Sequence, residues 1–172
     1  IKDAPDFARR MSNLSLLTDV GPMAGVAGAF SLIVGKYLKN KGIPEIIVEN
    51  GGDIYVYGIE KLVTGIYAGE SPFSNKINLE IFLGKKEFGI SSSSGSFGHS
   101  LSFGKADIVT IISENVILSD LMATSICNKV KKKEDINNVI IELKKREEIT
   151  GALIIMEDKL GAYGNFEIKG RS

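Results

Sequence analysis

The sequence predicts an α+β fold, a mostly antiparallel sheet with its helices gathered on one face. Three observations lead to this class. Apolar residues recur at helical spacing near the start of the chain, strand-like runs separated by glycine-rich turns fill the middle, and a strand, two helices and two strands follow. Strands and helices grouped in this order are typical of α+β domains.

The first forty residues predict two helices. In residues 1–18, four apolar side chains recur on one helical face: Phe7, Met11, Leu14 and Leu17. Residues 19–40 predict a stronger helix, because Pro22 suits a first helical turn and Gly42 suits the position just after the last one.

The middle of the chain predicts short strands joined by tight turns. The turn at residues 50–53, Asn-Gly-Gly-Asp, predicts a hairpin that needs positive φ. A polar lip on a binding site is compatible with such a turn, since hairpin tips often carry function. The expected strands cover residues 45–49, 54–57, 62–68 and 77–83.

The second half predicts a loop, a strand, two helices and two strands. Residues 91–104 are rich in serine and glycine and poor in core-forming side chains, which predicts a loop. A strand follows at residues 106–113. A helix starts at Ser119-Asp120 and extends over residues 120–131. The expected final elements are a helix over residues 135–148 and strands over residues 152–156 and 163–168.

Bulk composition bounds the function. The 172 residues suit one domain, 1–172, and because the chain starts at Ile1 we expect some N-terminal sequence to be missing. Lysine plus arginine and aspartate plus glutamate both number 21, so the net charge does not indicate nucleic acid or an anionic membrane surface as a partner.

The single cysteine, Cys127, lies inside a predicted helix, and one cysteine cannot form an internal disulfide. No apolar run approaches a membrane span and no targeting signal opens the chain, so we expect a cytoplasmic protein.

Asp120 and Thr124 are the strongest candidates for a metal site. Four residues apart on a helix, they share one face. A carboxylate and a hydroxyl are hard oxygen ligands that suit Mg²⁺, which also binds phosphate oxygens. Alternatively, Asp120 only complements the helix dipole and Thr124 bonds a backbone carbonyl.

The serine- and glycine-rich loop is the candidate anion site. Its backbone N–H groups could converge on a phosphate, although a plain surface loop is the alternative. His99, the only histidine, is a candidate acid/base, a hydrogen-bond donor or a structural residue. The loop residues that we expect to bind ligand are Ser92, Ser93, Ser94, Gly95, Gly98 and Ser100.

Two glycines inside the second helix need a reason, since each costs about 1 kcal/mol relative to alanine. Gly25 and Gly28 indicate either close packing of the helix on the sheet or close approach of backbone to a ligand. The hairpin residues Asn50, Gly51 and Gly52 are further ligand-binding candidates.

Taken in order, these motifs resemble the ApbE-like flavin transferases. The resemblance rests on four motifs: GPMAGVAG at residues 21–28, VENGGD at 48–53, SGSFGHSLSFGKAD at 94–107 and SDLMAT at 119–124. The last three look like that family's N-x-G-G-D strand end, its T-S-G loop and its A-D-A-x-A-T helix. The whole set is similar to a small, uncharacterised branch related to ApbE.

The resemblance implies a T-fold-like domain that binds Mg²⁺ through Asp120, Thr124 and a backbone carbonyl near Val26. ApbE proteins use the metal and flavin adenine dinucleotide (FAD) to transfer a flavin mononucleotide group to a protein threonine. The chain departs from the family in two places. Ala27 stands where a lysine is expected, and residues 99–104 replace a longer segment.

The sequence thus predicts a Mg²⁺-dependent enzyme that acts on FAD or another small phosphorylated ligand, with His99 or Asp53 as proton carrier. A non-catalytic binding module of the same fold is the first alternative. A structural homo-oligomer is the second, because the isoleucine-rich strands would permit edge pairing.

Overall fold

The structure, a computed structural model, describes residues 3–96 and 103–171. Four α-helices lie in the described part: α1 (Asp6–Ser15), α2 (Val26–Asn40), α3 (Val116–Lys129) and α4 (Asp135–Leu143), with a 3₁₀ turn at Pro22–Gly25 before α2. Nine strands accompany them: β1 (Ile46–Asn50), β2 (Asp53–Tyr57), β3 (Lys61–Gly65), β4 (Ile77–Phe82), β5 (Glu87–Ser93), β6 (Ile108–Ser113), β7 (Ile149–Met156), β8 (Lys159–Gly164) and β9 (Phe166–Gly170). Within these residues, no helix is long and apolar enough to cross a membrane.

The strands form two antiparallel sheets. Six of them build a large sheet in the order β1-β2-β5-β6-β7-β8, and the other three build a small sheet in the order β3-β4-β9. Every pairing between neighbours is antiparallel. The predicted α+β class with a mostly antiparallel sheet is confirmed.

The large sheet is the middle layer of three. Its β6 is buried at every position, and successive side chains enter different cores. Ile111 packs with α3 and α4, whereas Ile112 packs with the small sheet. The helices therefore lie on one face of the large sheet, as expected, and the small sheet covers the other.

The predicted β1–β2 hairpin is confirmed. Asn50 pairs with Asp53, and the two residues between them, Gly51 and Gly52, have φ of +64° and +100°. Positive φ at both positions matches the type I′ turn, whose twist suits a two-residue hairpin. This turn places Asp53 at the first position of β2.

The end of α2 also follows the prediction. Gly42 has φ +83°, its N–H donates to the Lys39 carbonyl (2.9 Å), and the Ile43 N–H donates to the Leu38 carbonyl (3.3 Å). These two bonds define a Schellman motif, which satisfies carbonyls that the helix itself leaves open.

The predicted loop over residues 91–104 is wrong at its start, because Ser91 to Ser93 belong to β5. This strand is paired on both sides, with β2 and with β6, so its backbone hydrogen bonds hold it despite its small polar side chains. Small residues also let α3 lie directly on the strand. A Cβ on Gly89 would stand 2.1 Å from the Val116 Cα.

The predicted start of α3 is wrong as well. The helix begins at Val116, and the Asn115 side chain caps it by accepting from the N–H groups of Ile117 (3.1 Å) and Leu118 (3.4 Å). Asp120 consequently lies beyond the first turn. The alternative that Asp120 only complements the helix dipole is therefore not supported, since the dipole's effect on a charge fades within the first turn.

The last predicted strand, residues 163–168, proves to be parts of two strands. Gly164 has φ +129° and ends β8, which belongs to the large sheet. The chain then enters β9, which belongs to the small sheet.

Candidate functional site

A cavity of about 990 Å³ opens at one end of the large sheet. The β1–β2 hairpin tip, the end of β5, the start of β6 and the first turn of α2 meet there, and α3 contributes side chains. Residues 64–67, at the end of β3 and just beyond, line it from the small sheet. The cavity thus lies where all three layers come together.

One part of the cavity wall is polar and the other is apolar. The polar part includes Asn50, Asp53, Thr110, Asp120 and Thr124. The apolar part includes Ile54, Ile66, Tyr67, Ile90 and Ile108. In the part of the chain that the structure describes, no lysine, arginine or histidine lines the cavity. The wall is therefore acidic on its polar side.

Asp120 is held in place by the backbone of α2. The Gly28 N–H donates to its Oδ2 at 2.8 Å. A Cβ on Gly28 would stand 2.7 Å from the Val116 carbonyl oxygen and 3.0 Å from the Asp120 Cβ, so only glycine allows this approach. Gly25 is equally constrained, since its Cβ would stand 2.8 Å from the Leu121 Cγ.

These contacts correct the expectations for both glycines. Each packs against helix α3 rather than against the sheet. Gly25 is buried outside the cavity lining, and the N–H of Gly28 is already bound to Asp120. The close approach of Gly28 in this structure is to Asp120, a candidate ligand-binding side chain, and its contact with a ligand remains a prediction.

Asp53 is the second buried acid of the cavity, with only 6% of its surface exposed. Its backbone carbonyl accepts from the Ser31 hydroxyl at 2.8 Å, but its Oδ1 has no hydrogen-bond partner. Burial, then the nearby charge of Asp120, raises the pKa of Asp53 to about 8. Burial also raises the pKa of Asp120 to about 6, although the Gly28 N–H lowers it.

The hairpin tip lies where the sequence predicts a polar lip, with Asn50, Gly51 and Gly52 all in the cavity wall. The Asn50 amide donates to the Ala27 carbonyl (3.3 Å), and the Gly52 N–H donates to the Glu49 carboxylate (2.7 Å). Several of the expected donors at this tip are thus used within the protein.

The serine-rich segment divides between two faces of β5. Ser92 and Ser94 line the cavity, and the Ser92 hydroxyl pairs with that of Thr110 at 2.9 Å. Ser93 is buried on the other face of the strand. The Gly95 N–H donates to the Ala106 carbonyl (2.9 Å). The other three loop candidates, Gly98, His99 and Ser100, lie outside the described residues.

Several wall residues are absent from the candidates that sequence reasoning identifies. Thr110 is a polar residue in an apolar strand, and this is the one local signal that it faces a cavity. Ile54, Ile66 and Tyr67 belong to the wall only because the small sheet folds over the end of the large one.

The donor set at this acidic wall fits a divalent cation. Asp120 and Thr124 line the same cavity, and Asp53 adds an unpartnered carboxylate oxygen. The described residues contain no group of three or more acidic, histidine or cysteine side chains that could hold a metal. Mg²⁺ does not need one, since it usually takes one or two carboxylates and completes its shell with water and phosphate oxygens. Val26 also lines the cavity, and its carbonyl as a ligand remains a prediction.

The architecture and the acidic cavity define an α+β domain with the fold of solved flavin transferases. The apo form of the Pseudomonas stutzeri flavinyl transferase ApbE superposes with a TM-score of 0.57 at 16% identity, covering 88% of this chain and 48% of that one. The Vibrio cholerae flavin transferase ApbE gives 0.55 at 15% identity, covering 89% and 50%. The chain thus spans about half the length of these proteins, and at such identities the likeness concerns the fold alone.

Sequence similarity gives the family. Residues 1–147 match the family model described as "AbpE bacteria", and the chain belongs to that family. A UPF0280 protein of Methanothrix thermoacetophila is 39% identical over 164 residues, covering 95% of this chain and 68% of that protein. UPF0280 protein MJ1526 of Methanocaldococcus jannaschii is 35% identical over 170 residues, covering 94% and 67%. The predicted relationship to an uncharacterised ApbE-like branch is confirmed.

Proposed function

We propose that this chain is an ApbE-related domain that binds a small phosphorylated ligand, FAD or a similar compound, together with Mg²⁺, and transfers part of it. One observation carries the proposal. Asp53, Asp120 and Thr124 meet in one cavity whose described wall has no basic side chain. An anionic ligand would be repelled by such a wall unless a cation bound with it.

In this proposal each part of the wall has its own role. Asp120, fixed by the Gly28 N–H, and Thr124 hold the cation, with the carbonyl of Val26 as a further ligand. When bound, Mg²⁺ supplies neutralisation of charge on a reacting phosphoryl group. The apolar part, with Tyr67 beside isoleucine side chains, suits a flat ring of the ligand.

The remaining roles are proposals on the predicted residues. The side chains of Ser92 and Ser94, the predicted donors up to Gly98 and the hairpin tip contact phosphate. His99 and Asp53 are the candidate proton carriers, and the orphaned, buried Oδ1 of Asp53 favours it among the described residues. A cytoplasmic location stays a prediction.

A binding module without catalysis is the second candidate. It is favoured by Ala27, which lines the cavity where the family resemblance would place a lysine. A homo-oligomer is compatible with either function, because α2 exposes the apolar side chains of Phe30, Ile33, Val34 and Tyr37.

The test is calorimetric titration of the protein with FAD, with and without Mg²⁺. We expect binding only with Mg²⁺, and a loss of at least about tenfold in affinity for Asp120→Ala. Glu114→Gln, an exposed acid away from the cavity, is the matched control and keeps wild-type affinity. FAD binding that is equal with and without Mg²⁺ and in Asp120→Ala would refute the proposal.

A second assay separates the two candidate functions. Transfer releases the adenosine monophosphate half of FAD and leaves a flavin on an acceptor, which fluoresces in a denaturing gel. Metal-dependent FAD binding without either product identifies a binding module.

A further inference from the structure

Among the described residues, three buried polar atoms without a hydrogen-bond partner lie on one face of the large sheet, in β2 and β5. In the described part of the chain, four buried side-chain oxygens lack a hydrogen-bond partner, and three of them belong to Asp53, Ser91 and Ser93. Asp53 pairs with Ser91 across β2 and β5, and Ser93 projects to the same face of the sheet two residues further on. The Ser91 hydroxyl lies beside Asp53 without reaching hydrogen-bonding geometry. Buried polar atoms are normally satisfied, so such a cluster marks the place of a missing partner.

The β1–β2 turn does not depend on the Asp53 carboxylate. The hairpin is set by the backbone of Gly51 and Gly52, and the Ser31 hydroxyl holds Asp53 through its main-chain carbonyl. No hydrogen bond of the described residues uses its Oδ1. An aspartate in this place therefore serves something other than the turn.

No basic side chain of the described residues pairs with Asp53 or Asp120. Neither Asp53 nor Asp120 takes part in an ion pair with residues 3–96 or 103–171, and their charges are close enough to act on each other. Buried carboxylates are paired, hydrogen-bonded or bound to a metal, because leaving water is costly for a charge. A bound cation would supply the opposite charge that both acids lack among the described residues.

We infer that Asp53 is a second carboxylate ligand of the cation, which binds between Asp53 and Asp120. The inference rests on the proposed function for the presence of the cation and extends it to a residue predicted as a proton carrier. Both carboxylates and the Thr124 hydroxyl, which line the cavity, supply only hard oxygen donors, and these suit Mg²⁺ or Mn²⁺.

The test measures the metal alone, with no FAD present. Mn²⁺ is titrated into the full chain, and free Mn²⁺ is followed by electron paramagnetic resonance. We expect Asp53→Asn and Asp120→Asn each to raise the Kd for Mn²⁺ at least about tenfold. Glu49→Gln removes one negative charge from the same cavity wall and keeps an acceptor for the Gly52 N–H, so its Kd changes less than about threefold.

Thermal unfolding provides an independent readout. Mn²⁺ raises the Tm of the wild type and of Glu49→Gln, and at the same Mn²⁺ concentration this rise is clearly smaller in Asp53→Asn. If Asp53→Asn does not fold, Asp53→Ser, which is smaller and leaves no amide to satisfy, takes its place in both measurements.

The outcomes separate this inference from the proposed function. Wild-type Mn²⁺ affinity in Asp53→Asn, with weak binding in Asp120→Asn, overturns the ligand role of Asp53 alone. Loss of flavin transfer in that variant would then identify a proton carrier. Absence of Mn²⁺ and Mg²⁺ binding by the wild type overturns both.

Discussion

Substitution of Gly28 by alanine tests whether the contact between α2 and α3 builds the site. The added Cβ would stand 2.7 Å from the Val116 carbonyl oxygen and 3.0 Å from the Asp120 Cβ. Both neighbours are backbone or close to it, so they cannot turn away as the end of a long side chain would. The helices must separate, and the 2.8 Å bond from the Gly28 N–H to Asp120 Oδ2 must lengthen.

The expected cost is the sum of three effects. Overpacking costs about 1–3 kcal/mol, and a weakened hydrogen bond to a buried carboxylate costs a further 1.5–3 kcal/mol or so. Alanine returns about 1 kcal/mol through its higher helix propensity. The net loss is roughly 1.5–5 kcal/mol, which for a domain of this size lowers the Tm by roughly 3–20 °C.

Thermal unfolding followed by circular dichroism measures this loss, with Gly21→Ala as the control. A methyl group on Gly21 would meet no atom within 4 Å, and its φ of −70° is ordinary, so the change there stays within about 0.5 kcal/mol. Gly28→Ala also weakens Mn²⁺ binding, because Asp120 loses its fixed position. Equal stability of the two variants would refute the packing argument, and unchanged Mn²⁺ affinity would refute the positioning role.

Two further predictions concern charge and capping. Asp53 keeps its proton up to about pH 8 when folded but ionises near 3.8 when unfolded, so the folded state binds more protons between these values. Asp120, with its pKa raised to about 6, adds the same effect between about pH 4 and 6. The metal-free protein therefore loses stability as the pH rises from about 4 to 8, by up to about 1.4 kcal/mol per pH unit for each acid. Asp53→Asn flattens the urea-denaturation profile between about pH 6 and 8, and a wild-type profile that is already flat in this range contradicts the prediction. Asn115→Ala removes the cap of α3 and costs about 1 kcal/mol in the same assay, whereas an unchanged midpoint would show that the cap contributes nothing.

Those features whose causes are local could be predicted from the sequence. Gly51 and Gly52 supply positive φ themselves, so the hairpin follows from its two turn residues. Asp120 and Thr124 share a face because of the helix period, and both line the cavity. Gly42 ends α2 as predicted because its φ is again a property of the residue type.

The errors have tertiary causes. Ser91 to Ser93 form a strand because β2 and β6 bind it on both sides, and this overrides a composition that predicts a loop. The predicted start of α3 is too late because Val116 to Leu118 are all buried and show no helical periodicity. The packing of Gly28 depends on a residue 92 positions away, which no local pattern reveals.

Long-range contacts also indicate that Asp53 and Asp120 serve a function rather than the stability of the fold. The Gly28 N–H stabilises one carboxylate, while Asp53 has no such donor for its Oδ1. If this pair of acids were purely structural, asparagine at position 53 would make the fold more stable, because an amide needs neither a buried charge nor a retained proton beside Asp120. An acid that lowers the stability of the metal-free fold is expected where binding a cation recovers the loss. The free energy of unfolding can therefore be compared between the metal-free wild type and metal-free Asp53→Asn. This comparison is as informative about the site as a measurement of binding.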